Sequence, residues 1–456
     1  MDEATPMRDL SFAMVWVVLF PVALWSAHIG VLLWIWVALV SPNERLYGFM
    51  AGIPFNKVAA GLTLLVLFLN REKKKFYLDA TVVLILLLAL VGSASAYFAI
   101  VPSDDGADLY QKMIKEFLLA FLIMALMWSR HRIHMTVVVL CIAIGFTSVL
   151  EGLEYAATAG GHKIIGTGGI GDNNSIALAA LLIVPPLFYL FRYSALRQTR
   201  LAFMAALCVS LIAVVGTFSR GGVIGLLVLF VFFIINSKNK LPALAMALVG
   251  AVVIWFFATD DWLNRVDSIK DASDNGSFMG RVIAWKISTM LAIDSPLFGG
   301  GFHAVQRYPV WEHYVPSLPN FMSFIKTPPP DPFPHAAHSI YFEVLGDLGF
   351  MGLALFLLVL AVALYNCHWI ARTAKRHPQL AWAGELARML QISIIIYMVS
   401  GAALSMAYFE GIWIIVALLS RIRMTVREAI AAPVSAKMPV ATRGEAVDIP
   451  AYARAR

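Results

Sequence analysis

The chain is predicted to be an all-α protein that crosses a membrane many times, and three observations carry that expectation. Of its 456 residues 60% are hydrophobic and only 14% charged, with a mean hydropathy of +0.78, too little polar surface to coat a soluble globule. Long, charge-poor runs approach or exceed the roughly 20 residues that span hydrocarbon as a helix. Basic residues gather in every second loop, the asymmetry that orients a multi-pass protein.

The first apolar stretch is 10–40, where Pro21, His28 and Gly30 leave two readings open, a broken hairpin or one long tilted span. Runs at 54–70, 79–99, 134–156, 174–191, 200–217, 241–258 and 339–365 read as spans on length and apolarity alone. Those at 114–128, 221–236, 386–407 and 411–420 are shorter or closely flanked by charge, yet leaving any out breaks the alternation of loops. Arg71, Lys73, Lys74 and Lys75, then Arg130 and Arg132, Arg192, Arg197 and Arg200, Lys238 and Lys240, Arg372, Lys375 and Arg376, and finally Arg421, Arg423 and Arg427 mark the cytoplasmic loops. The loops between are neutral or acidic, and in the largest, 259–338, acidic residues outnumber basic ones. With a cytoplasmic N-terminus, parity requires 10–40 to cross an odd number of times. A single crossing there gives about 12 transmembrane helices with both termini cytoplasmic, and a hairpin would put the N-terminus outside. Met1 to Asp9 offers no charged region followed by a cleavage site, so the first span is expected to be retained. The organisation expected is N-terminal spans over 1–158, central spans over 159–258, an outer loop over 259–338, C-terminal spans over 339–424, and an Ala- and Pro-rich disordered tail over 425–456.

Several chemistries are disfavoured. The net charge of +7 lies in cytoplasmic loops and answers anionic lipid headgroups, so no nucleic-acid partner is expected. Cys141, Cys208 and Cys367 are far apart, without metal-ligand spacing or a disulfide framework. No Asp-x-Asp element occurs, which argues against a divalent-metal sugar-nucleotide site. Gly166-Thr-Gly168-Gly-Ile-Gly171 satisfies the spacing of a dinucleotide fingerprint, but an apolar helical run precedes it where a strand is needed. Asp172, Asn173 and Asn174 then either cap the next span or line a polar cleft.

The outer side carries sparse, oddly placed charges. Arg220, in Gly216-Thr-Phe-Ser-Arg220-Gly221-Gly222, stands at an outer turn where positive charge is otherwise avoided, as a snorkelling residue or a functional one. Arg281, in Gly280-Arg281-Val-Ile-Ala-Trp285-Lys286, is a loop-helix surface residue or a second member of the same cleft. Two guanidinium forks converging there would suit a diphosphate. Prolines crowd 309–334 and hold the loop extended, as a lid over the outer surface. His335 and His338 would need His303 or His313 to complete a metal site, and no carboxylate-rich partner set accompanies them, so no metal or other cofactor is expected. Gly346, Gly349 and Gly352 recur at intervals of three, the spacing of a close helix-packing face.

His338-Ser339 followed by Gly349 and Gly352 resembles the signature of the O-antigen ligase family. Ser219-Arg220-Gly221, Gly280-Arg281 with Trp285, and Ser295-Pro296-Leu297-Phe298-Gly299 resemble the related ligase and polymerase core, over about 160–365. The resemblance implies an inner-membrane glycosyltransferase of the GT-C type with a large periplasmic loop and its active site on the periplasmic face. It implies a donor glycan on undecaprenyl diphosphate and a sugar hydroxyl of lipid A-core as acceptor. His338 is then the expected general base, Arg220 and Arg281 the diphosphate ligands, and Ser339, Asn173 and Asn174 further substrate contacts. O-antigen polymerase and protein O-oligosaccharyltransferase use the same donor. A lipid flippase would instead place charges at mid-membrane in broken helices with an internal repeat, and neither is evident.

Overall fold

The computed structural model describes residues 4–70, 72–166, 170–236, 276–329 and 333–431, and among these it is helical with no strand. In order come α1 (Ala4–Trp25), α2 (Ala27–Val40), α3 (Phe55–Leu69), α4 (Ala80–Tyr97), α5 (Asp104–Leu126), α6 (Arg130–Ala157), α7 (Asn173–Tyr193), α8 (Arg197–Gly216) and α9 (Arg220–Asn236). The described chain resumes with α10 (Gly276–Asp294) and the short α11 (Tyr308–Tyr314), followed by α12 (Ile340–Ala374), α13 (Ala381–Ser400) and α14 (Glu410–Ala431). Eight of the described helices are long and apolar enough to cross a membrane, and α3 and α9 are shorter apolar helices. The expected span at 241–258 lies outside the described residues.

Polar caps start several of these helices where an apolar run meets a loop. Asp79, Ser103, Ser129 and Asp172 accept hydrogen bonds from the backbone N–H groups of Val82, Gly106, Arg132 and Ser175, satisfying donors that a helix start otherwise strands. At the centre, Ile176 to Val184 of α7 and Ile412 to Leu419 of α14 are all nearly inaccessible, so these helices are wrapped by others on every side.

The stretch 10–40 is not one crossing. Extended Ser26 breaks it, and the ring of Phe12 stacks on that of Trp36 at 5.5 Å, so α1 folds back along α2 as a hairpin. The turn sits beside the basic loop, with Ser26 Oγ donating to Glu72 at 2.5 Å, while Asp9 at the other end accepts from the Met50 N–H at 2.8 Å. Asp9, near the start of α1, therefore stands at the end opposite Lys73 to Lys75. Other boundaries move too. Helix α5 begins ten residues before the expected 114, capped by Ser103, and α14 continues through the expected domain edge at 425 to Ala431.

The largest departure is α12. Gly349, at φ 68 and ψ −170, interrupts it and divides a first segment from the apolar remainder. In that first segment Ile340 packs on Gly401, just past the outer end of α13, and the Asp347 carbonyl accepts from Ser95 near the outer end of α4 at 2.6 Å. The segment thus runs between the ends of two long apolar helices, and the apolar remainder of α12 begins only after Gly349. The turn 295–301 fills the break: the Gly300 and Gly301 N–H groups donate to the carbonyls of Gly346 and Asp347 (2.9 and 3.2 Å), and the Met351 N–H donates to that of Pro296 (3.2 Å). A methyl on Gly349 would lie 2.7 Å from the Pro296 oxygen, and one on Gly299 2.6 Å from the Asp347 oxygen. Gly349 is therefore a break rather than one point on a packing face, whereas Gly346 does make room for Val305 and Ser288.

The outer loop is more than an extended lid. Helix α10 runs alongside the first segment of α12, and Ile283, Ile287 and Leu291 form a separate small core with Val305, Val310, Trp311 and Tyr314. Among the described residues, 326–329 and 334–337 take neither helix nor turn.

Because both glycines have positive φ and no space for a Cβ, Gly349→Ala or Gly299→Ala should destabilise the protein by about 2–4 kcal/mol. Gly61→Ala, on a helix position with nothing within 4 Å of the added methyl, should be neutral or stabilising by about 1 kcal/mol. Thermal unfolding in detergent checks this, and equal midpoints for all three variants would show that the glycines do not interlock as described.

Candidate active site at the outer end of the helices

Four segments converge at the outer ends of α7, α9 and α13. The first is the α8–α9 turn. Phe218 takes a left-handed φ of 53, and Ser219 Oγ accepts from the Gly222 N–H at 3.1 Å, capping α9 and placing Arg220 as its first residue. Gly222 lies against Ala177 and Gly225 against Leu181 and Ser400, so α9 approaches α7 and α13 closely. A cation at a helix N-terminus opposes the macrodipole by roughly 0.3–1 kcal/mol, so local helix energetics do not explain Arg220.

The second segment is the start of α7. Asp172 caps it through the Ser175 N–H at 2.8 Å. Asn173 donates to the Thr217 carbonyl at 2.7 Å and so ties α7 to the turn that carries Arg220. Asn174 donates to Asp172 at 3.1 Å. The asparagines are thus committed first to building the site.

The third segment is α10, where Arg281 is half-buried and donates to the Ala403 carbonyl at 3.3 Å, and Trp285, one turn on, donates to the Ala337 carbonyl at 2.6 Å. The Trp285 ring stacks on Phe342 at 5.0 Å. The fourth is 335–339. The His335 ring lies over Gly280, where a Cβ would meet it at 3.2 Å. His338 follows the pinned Ala337 with a left-handed φ of 43, uncommon for a residue with a Cβ and concentrated at functional sites. Ser339 begins α12 without capping it; its Oγ is buried and makes no hydrogen bond within the protein.

Electrostatics join these residues into one group. Burial lowers the proton affinity of the His338 imidazole, Arg281 and His335 lower it further, and Asp172 opposes them. The Arg281 guanidinium is pushed down by burial and then by the Arg220 charge, with Asp172 again opposing. Partial dehydration would raise the Asp172 carboxyl, but hydrogen bonds from Ser175 and Asn174 and the charge of His338 bring it below the ordinary carboxylate range. The structure therefore brings His338, Arg281 and Arg220 into one electrostatic group with the α7 cap, and Ser339 follows His338 in the chain. The group can hold a neutral imidazole beside two cations and one carboxylate, an arrangement suited to proton abstraction next to a bound anion.

Sequence reasoning did not assign Asp172 an electrostatic role, since a capping aspartate and one aimed at a histidine read alike. It also passed over Glu151, Glu154 and His162, whose candidate ligand atoms lie within 4.8 Å of one another. There His162 Nε2 meets Glu151 at 2.9 Å and Nδ1 meets Glu154 at 3.4 Å. Each ring nitrogen faces its own carboxylate, so the group ties the α6–α7 loop to α6.

Residues 204–357 match the family model for O-antigen ligase, an interval holding Arg220, Arg281, His338, Gly349 and Gly352. Residues 7–195, which include Asp172, match the model of a family of unknown function. No curated protein matches the chain.

The His338 ring should titrate below the usual histidine value. Arg281→Gln removes a charge that disfavours imidazolium and should raise the midpoint; Asp172→Asn removes one that favours it and should lower the midpoint. Peptide-resolved acylation by diethyl pyrocarbonate across pH measures both. Unchanged midpoints would mean that the three groups are electrostatically independent.

Proposed function

We propose, for a chain that belongs to the O-antigen ligase family through residues 204–357, that it is an inner-membrane O-antigen ligase of the GT-C type. It transfers O-polysaccharide from undecaprenyl diphosphate to a sugar hydroxyl of lipid A-core. The observation that carries the reading is the convergence of the turn that bears Arg220, the α7 cap at Asp172, Arg281 of α10 and His338: Asn173 ties the cap to the Arg220 turn, Arg281 donates to the Ala403 carbonyl, and the Trp285 indole pins Ala337 beside His338. The Arg220 charge disfavours that of Arg281, an anion placed between the two would relieve this, and a diphosphate offers oxygens to both forks.

In this reading the site faces the periplasm, because the basic loops among the described residues lie at the other end. The acceptor hydroxyl oxygen attacks the anomeric carbon as the bond from that carbon to the diphosphate oxygen breaks. The hydroxyl proton passes to the neutral imidazole of His338, and the diphosphate leaves with the bonding electron pair, its added charge held by Arg220 and Arg281. Direct displacement inverts the anomeric centre. Asp172 favours the imidazolium that forms, and Ser339 offers an uncommitted hydroxyl to the substrate. The arginines supply the charge stabilisation that other glycosyltransferases take from a metal.

His338→Ala should reduce transfer by at least about 100-fold at unchanged membrane abundance. Arg220→Glu or Arg281→Glu should abolish transfer, and the Lys replacements should keep part of it, since lysine preserves charge but loses the bidentate fork. The readout is polysaccharide on lipid A alongside accumulating lipid-linked polysaccharide. Near-normal transfer by His338→Ala would eliminate the base assignment, and equal tolerance of Glu and Lys would eliminate phosphate chelation. If the variants instead shorten the polysaccharide while attachment persists, the reaction is polymerisation on the same donor.

A further inference from the structure

At the basic end of the bundle, opposite His338, the chain joining α3 to α4 runs extended over 72–79. It is clipped along the end of α5: the Lys75 N–H donates to the Ala125 carbonyl at 3.0 Å, and the Trp128 indole donates to the Lys73 carbonyl at 3.1 Å. Its side chains alternate in direction. Phe76 and Leu78 are 75% and 76% exposed, while Tyr77 turns inward to share a hydrogen bond with Ser420 at 2.7 Å.

Between this segment, α4 and α5 lies a groove of about 240 Å³ lined by Phe76, Val82, Leu86, Phe121 and Met124, with Lys75 among them. The Lys73 and Lys75 ammoniums lie over the Trp128 ring at 5.7 and 5.6 Å, and the Arg132 guanidinium lies over it at 4.8 Å. Glu428 answers the charge of Lys75, and Glu72 answers that of Arg132. Lys73 is exposed and gives the mouth its excess positive charge.

An apolar groove at a membrane boundary, with an indole and ammonium groups at its opening, matches a phospholipid part by part. The acyl chain takes the groove, the indole takes the headgroup level, and the ammonium takes the phosphate. We propose that this groove binds an anionic phospholipid of the cytoplasmic leaflet. Because Lys75 already has a carboxylate partner, selectivity for anionic over zwitterionic lipid resides in Lys73, and affinity for either resides in the groove. A bound lipid would brace the contact between this segment and α14, where fully buried Arg421 lies 5.1 Å from the Tyr77 ring and donates to Glu428 at 2.7 Å.

The test uses the full-length protein in nanodiscs of equal phosphatidylglycerol and phosphatidylcholine, released for native mass spectrometry. The wild type should retain phosphatidylglycerol preferentially. Lys73→Gln should reduce that preference about fivefold without moving the unfolding temperature, the loss expected for one ammonium at an anionic surface. Val82→Phe, which fills the groove, should reduce retention of both lipids. Equal retention of the two lipids by the wild type would overturn the proposal, as would preference unchanged by Lys73→Gln. Displacement of phosphatidylglycerol by glycerol phosphate alone would also overturn it, since the groove would then contribute nothing. If Val82→Phe fails to fold, the Lys73→Gln comparison decides.

Discussion

Two glycines that leave no room for each other's missing side chains hold the outer face together. Gly299 and Gly349 are both in left-handed conformations, and each approaches the other's backbone more closely than a Cβ permits. Their contact allows α12 to change direction at the membrane boundary without stranding backbone groups, because 296–301 supplies the donors and acceptor that the break exposes. An uninterrupted α12 would carry its first residues straight outward. The break instead lays them across the outer ends of α13 and α4, with His338 at one end of that path. Helix α10 follows the same path, and this brings Arg281 beside His338.

Arg220 occupies the positive end of a helix dipole, and Arg281 feels Arg220 through a partly dehydrated cleft. Asp172 moderates the arrangement without cancelling it, and the same residue caps α7, so a local stabilising bond fixes a carboxylate where the imidazole needs it. His338 adds a left-handed backbone held by the Trp285 indole on one side and by the start of α12 on the other. At the basic end Glu72, Glu385 and Glu428 each pair with cations.

Much of the fold was legible because its causes are local. Apolar runs of spanning length, polar residues at their starts and basic loops at one end depend only on neighbouring residues and the solvent. The misreadings arose where a distant contact decides. Nothing near Pro21, His28 or Gly30 in the chain says that the break falls at Ser26, because that turn is held by Glu72 and Asn70. Likewise the spacing of Gly346, Gly349 and Gly352 suggests one packing face, and only the 295–301 turn makes the middle one a break. In the site, Arg220, Arg281 and His338 stood out as oddly placed polar groups, whereas for Asp172 capping and lining a polar cleft read alike.

The sequence by itself determined that the chain is a helical membrane protein with a ligase-like set of arginines and a histidine, because composition, periodicity and motif spacing are properties of residues read in order. Only the tertiary structure decided that α1 and α2 form a hairpin, that α12 turns at Gly349, and that Asp172, Arg220, Arg281 and His338 share one cleft. Those outcomes rest on close backbone approach and on charges acting through a partly dehydrated space between segments far apart in the chain, and neither leaves a local signature.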